Sequence, residues 1–144
     1  MPTAILNNKN LVRDRFKTFD LSNLNSIVLT ARKGLKAKVF YDFAETINMP
    51  EKNLAAVINI SARTIGNYKN EEKLLDPIYS EHLLKLIRLY EKGEELFGNV
   101  NEFNYWLKKP FWNKKITPND LINTTGGVDL ILEELDKLAQ GYPI

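Results

Sequence analysis

Cysteine is absent from this 144-residue chain. That excludes a disulfide framework, a thiol nucleophile and every cysteine-based metal site. Histidine occurs once, as His82, so neither a His-pair metal site nor a Ser-His-Asp triad has the partners it needs. His82 is expected on a helix surface. No run of about 18 or more apolar residues occurs, so no membrane-spanning helix is expected. The start, Met1-Pro-Thr-Ala-Ile-Leu-Asn-Asn, lacks the basic-then-apolar layout of a secretion signal, which points to the cytoplasm. Sustained period-two alternation is missing, so no sheet is expected. The pair Gly126-Gly127 has neither the Lys-Ser/Thr nor the preceding strand of a phosphate-binding loop and reads as a helix-start turn. The carboxylates sit mostly on lysine-rich helices, a pattern of solvation rather than of a paired acid and base. These absences leave no catalytic constellation. The expectation is a protein that is not an enzyme, with no cofactor and no metal.

What the chain does contain is ordinary for a folded domain: 44% apolar and 26% charged residues. The formal charge of +2 hides an asymmetry. Residues 1–75 hold 12 Lys and Arg against 7 Asp and Glu; residues 76–144 hold 8 against 11. A basic first half suits a polyanion and an acidic second half suits a different partner, although solvated helix faces would produce the same split.

Helical spacing dominates the pattern. The first ten residues read as a frayed terminus. Asp20-Leu-Ser-Asn-Leu-Asn reads as a turn, and Ile27, Val28, Leu29 and Ala31 as a short apolar element of undecided type. Val39, Phe40, Phe43, Ala44 and Ile47 place a helix over 36–47. Pro50 fits the first turn of the next helix, with Leu54, Ala55 and Ile58 on its inner face. Pro77 and Ser80 open a longer helix with Leu83, Leu84, Ile87, Tyr90 and Leu96 as its buried stripe and Gly98 as its stop. Asn99 with Glu102 resembles a capping box for a helix through Phe103, Trp106 and Leu107 that Pro110 ends. Thr117-Pro-Asn-Asp120 starts a short helix. Val128, Ile131, Leu132, Leu135 and Leu138 give a last one, closed by Gly141. Phe111 and Trp112, beside Lys108, Lys109, Lys114 and Lys115, read either as packed under their loop or as an interaction surface. The fold expected is all-α.

The segment 51–69 carries the most specific signal. Ala55 is small where two helices must approach, Asn59 occupies the turn, Ser61 is a good N-cap and Ile65 faces inward. This is the layout of a helix-turn-helix, whose second helix lies in the major groove of DNA. The residues expected to meet DNA are Ser61, Arg63, Thr64, Asn67, Tyr68 and Lys69. Arginine bonds guanine bidentately, asparagine does so with adenine, and Thr, Tyr and Lys suit phosphates.

The second half resembles a known family. In order come Glu95-Leu-Phe-Gly98, Trp106-Leu107-x-x-Pro110, Thr117-Pro118-x-x-Leu121-Ile122, Thr124-x-Gly126, and a helix ending in Gly141-Tyr-Pro-Ile. Together with Leu54-Ala55, Ile60-Ser61, Arg63-Thr64 and Ser80-Glu81 before Leu83-Leu84, this resembles the Xre/MbcA/ParS-like antitoxins over about residues 34–144. The chain departs from that pattern at Asn113-Lys114-Lys115, where a glycine-bearing turn is usual, and at Gly127, which doubles a single glycine.

The resemblance implies a helix-turn-helix region (1–75) followed by a small helical toxin-binding domain (76–144). It implies an antitoxin that covers the active site of a RES-domain, NAD-degrading toxin, forms a homodimer and represses its own operon by binding operator DNA. Toxin contacts would fall on Gly141, Tyr142, Pro143 and Ile144 as a blocking tail, with Trp112 beside them. A stand-alone regulator whose C-terminal half dimerises or senses a ligand is the competing reading.

Overall fold

A computed structural model describes residues 10–111 and 115–141. Among these the secondary structure is helical: α1 (Leu11–Arg15), α2 (Leu24–Lys33), α3 (Ala37–Thr46), α4 (Glu51–Val57), α5 (Ala62–Asn70), α6 (Pro77–Phe97), α7 (Val100–Leu107), a single 3-10 turn (Pro118–Asp120) and α8 (Thr125–Ala139). The only β-type pairing in this region is one isolated antiparallel bridge between Lys36 and Leu74.

Local chemistry sets the helix starts. The side chains of Asn23, Ser61, Asn99 and Thr124 each accept a hydrogen bond from a backbone N–H three residues on, satisfying a donor the first turn leaves without a partner. The element of undecided type at 27–31 is thus a capped helix, α2. Its inner face is Ile27 and Ala31, while Leu24 and Leu29 point outward, which blurred its period in the sequence. The glycine pair lies inside the first turn of α8, after the Thr124 cap. Gly127 has no room for a side chain, since a Cβ there would come within 1.7 Å of the Leu121 carbonyl oxygen.

α6 is the axis of the fold. α1, α2, α7 and α8 all pack against it. One continuous core runs through residues on both sides of position 76. An aromatic chain threads it: Phe16 on Phe43 at 5.9 Å, Phe43 on Tyr90 at 5.5 Å and Tyr90 on Phe103 at 5.0 Å, all edge to face. Phe103 then stacks on Trp106, which meets the edge of Phe111. Phe111 is therefore packed rather than displayed. Gly93 makes the middle of this chain possible, because a Cβ at that position would lie 2.4 Å from the Phe103 ring.

Two expectations fail here. Leu96, placed on the buried stripe of α6, is partly exposed, because the last turn of the helix carries it outward. His82 is buried and its Nε2 is 2.8 Å from the carbonyl oxygen of Ile122. Burial, opposed by that hydrogen bond, lowers its pKa and keeps the ring neutral. Glu94 is buried as well: its Oε1 accepts from the N–H of Val12 at 2.9 Å and its Oε2 from that of Arg13 at 3.0 Å. These are first-turn donors of α1, so a carboxylate from α6 caps a helix more than eighty positions earlier. Burial pushes Glu94 up to about 7 against the pull of those two donors.

The segment before the helix-turn-helix is thereby bound into the body. Arg15 adds a clamp to α3, with Nη1 at 2.7 Å from Glu45 and Nη2 at 3.2 Å from Asp42. At the far side, buried Lys85 meets Asp129 of α8 at 2.9 Å, and Lys92 pairs with Asp136.

Candidate nucleic-acid interface

The helix-turn-helix is α4 and α5. Its turn pivots on Asn59, whose φ of +63° lies in the left-handed region that asparagine tolerates better than most residues. The helices close on one another through Leu54, Ala55, Ile58 and Ile65, all buried. The turn is also tied to the C-terminal half: the Asn59 side chain donates to the carbonyl oxygen of Asn123 at 2.9 Å. Asn104 of α7 likewise donates to the carbonyl of Ile47, just before α4, at 3.0 Å.

The expected DNA-facing residues divide into three roles. Arg63 and Asn67 are exposed and one turn apart on α5, so both present their ends to the same side. Ser61 is the N-cap: its Oγ accepts from the Thr64 N–H at 2.9 Å and donates to the Thr64 Oγ at 2.7 Å. That holds Ser61 and half-buried Thr64 to each other at the start of the helix. Tyr68 is half-buried against the core, with the Lys73 ammonium 5.1 Å from its ring centre. Lys69 is exposed and lies 4.6 Å over the ring of Tyr41. Burial of that ring, with the Glu51 carboxylate nearby, raises the Tyr41 hydroxyl above its ordinary pKa, so it stays a neutral donor beside the lysine.

The fold adds three lysines that the sequence reading missed. A groove of about 400 Å³ beside the end of α5 is lined by Lys36, Lys38, Lys69 and Lys73, with Tyr68 and Glu72. The pairing of Lys36 with Leu74 brings these distant positions together, and the Leu75 N–H donates to the Leu35 carbonyl at 2.8 Å to fix it. Lys38 is partly neutralised by Asp42 at 2.6 Å. Lys36 and Lys73 extend the positive surface of α5 to the start of α3, a layout that suits a phosphate backbone. Their clustering could be read from sequence only by knowing that 36 and 74 pair.

Of the residues expected to meet a toxin, Gly141 is described: it is exposed, has φ +87° and closes α8 through its N–H to Leu138. Trp112, Tyr142, Pro143 and Ile144 lie outside the described residues. Among the described residues no group of three or more His, Asp or Glu is placed to hold a metal ion. No helix there is long and apolar enough to cross a membrane.

Residues 26–88 match the antitoxin Xre-like helix-turn-helix domain. The match runs from within α2 to within α6 and so includes the α4–α5 pair, the basic groove and the first half of the central helix. It supports the Xre antitoxin family, and with it either a toxin–antitoxin antitoxin or a helix-turn-helix regulator. No curated protein matches the chain.

Proposed function

We propose that this chain is a cytoplasmic antitoxin that neutralises a toxin of the RES-domain, NAD-degrading class and represses its own operon. The observation that carries the reading is the Xre-like match lying over a helix whose Arg63 and Asn67 project together beside a lysine-lined groove. Arg63 and Asn67 read base edges; Lys36, Lys69 and Lys73 hold phosphates; Ser61 and Thr64 set the helix start. A homodimer would present two such helices to two half-sites of an operator.

Residues 76–144 bind the toxin. The chain beyond residue 88 supports this: a DNA reader does not need α7, the 3-10 turn and α8. The segment Gly141 to Ile144, with Trp112, covers the toxin's active site. Proline at 143 restricts the unbound tail, and tyrosine at 142 is a rigid, amphipathic anchor, so ordering this segment is inexpensive in entropy.

The test is co-expression with the neighbouring open reading frame while cellular NAD is followed. Growth arrest with NAD loss, relieved by this chain, is the expected result. Arrest without NAD loss would replace the toxin class. Absence of arrest would favour the stand-alone regulator, a reading supported by the match ending at residue 88.

A further inference from the structure

A second cleft, of about 630 Å³, lies on α1, the turn after it and α6. It is lined by Arg13, Lys17, Phe19, Arg88, Glu91 and Lys92, with the 20–22 turn at its edge. Its size falls in the range of small-molecule sites.

Four cations line the cleft against two carboxylates, and one of those carboxylates is already committed. Asp20 accepts from the Ser22 N–H at 3.1 Å, the Ser22 hydroxyl at 2.6 Å and the Ser26 hydroxyl at 3.0 Å, which lowers its pKa. It shapes the turn. Lys92 is taken by Asp136. Arg13, Lys17 and Arg88 have no carboxylate at ion-pair distance among the described residues. Glu91 is half-buried among them, and burial raises its pKa while Arg13, Arg88 and Lys92 oppose the rise.

The site is also built rather than incidental. Glu94 grips the backbone N–H of Arg13 at 3.0 Å, so the backbone that carries that exposed arginine is fixed from the core. The Asp20 hydrogen bonds fix the opposite edge. Half-buried Phe19 supplies an apolar wall. Two arginines and a lysine around an open, polar floor match an anion with several oxygens, because guanidinium groups hold phosphate oxygens through paired N–H donors.

We propose that this cleft binds a phosphate-bearing small molecule of nucleotide size. The phosphates lie between Arg13, Lys17 and Arg88, and a ring lies against Phe19.

Calorimetric titration of the full chain with inorganic pyrophosphate and with ADP, at low salt, tests this. Saturable binding of one molecule per chain is expected for both. Tighter binding of ADP supports a nucleotide as the natural ligand, and equal binding supports a phosphate carried by another group. Arg13→Gln and Arg88→Gln should each weaken binding by about tenfold, the effect of losing one charge-assisted contact. Lys17→Glu, at an exposed position that the fold does not depend on, should weaken it at least as much. Glu91→Gln should tighten it, a gain that a damaged fold could not produce. The proposal is overturned if neither probe gives saturable heat, if all four variants bind like the wild type, or if Lys73→Gln abolishes the heat and so places the anion in the other groove.

Discussion

Glu94 offers a demanding check on how this molecule is held together, through replacement by glutamine and the pH dependence of stability. The wild-type carboxyl is buried and titrates in the folded state near 7, against an ordinary value of 4.5. A folded pKa raised above the unfolded one means that the stabilisation is complete below pH 4.5 and is lost as pH rises through about 7. The difference of roughly 2.5 units corresponds to a contribution on the order of 3 kcal/mol between pH 4.5 and pH 8. His82 acts in the opposite sense. Its folded pKa lies below 6.5, so its contribution is present above that value and lost as pH falls. The wild-type curve alone would mix the two.

The Glu94→Gln variant separates them, because it removes one titration and leaves His82 in place. Glutamine keeps one acceptor toward α1 but turns an NH₂ toward the other N–H, leaving a buried donor without a partner at a cost of about 1–3 kcal/mol. Urea unfolding followed by tryptophan emission at pH 5 and pH 8 measures both effects; Trp106, on the aromatic chain, is a suitable reporter. The variant should be less stable than wild type at pH 5, and the gap should narrow by pH 8. A gap that widens with pH would refute the raised pKa and show that the two N–H donors outweigh burial. No gap at either pH would refute the capping role.

Other perturbations test the rest of the architecture. Arg63→Ala should weaken operator binding by about 1–3 kcal/mol in a fluorescence anisotropy titration while leaving the melting temperature unchanged. Lys73→Gln should weaken binding to every DNA sequence alike and reduce the slope of log K against log salt by about 0.9, seen in the same titration across salt concentrations. Gly93→Ala should cost about 1–3 kcal/mol or more in thermal unfolding, since its methyl must displace the Phe103 ring. Removal of residues 142–144 should impair toxin neutralisation in a growth assay and spare operator binding.

The helices were legible where one short rule decided them. Ser61 and Asn99 stand immediately before apolar periodicity, Pro77 and Gly98 punctuate the long helix, and the observed boundaries follow. The candidate DNA surface was half legible. Arg63 and Asn67 follow from the position of the Ser61 cap, because helical geometry fixes their common face. Lys36 and Lys73 do not, since they meet through a pairing between segments nearly forty residues apart. His82 was misread, and Glu94 was not singled out, for the same reason. Each has an ordinary polar setting in sequence, and each finds its partner on a distant element: the Ile122 carbonyl in one case and the start of α1 in the other. Local pattern reports what a residue prefers, whereas these two are governed by what tertiary packing brings to them.

The chain of rings from Phe16 to Phe111 bears on how such a molecule can change over time. Proteins that read DNA with one part and bind a partner with another are often imagined as exchangeable modules. Here a recombination joint near residue 76 would separate Phe43 from Tyr90 and α2 from α6. A transplanted first half would have to arrive with rings matching Tyr90 and with an asparagine at 59 to reach the Asn123 carbonyl. On the proposed reading, new specificity would be reached more readily by substitution at exposed Arg63 and Asn67 than by exchange of halves.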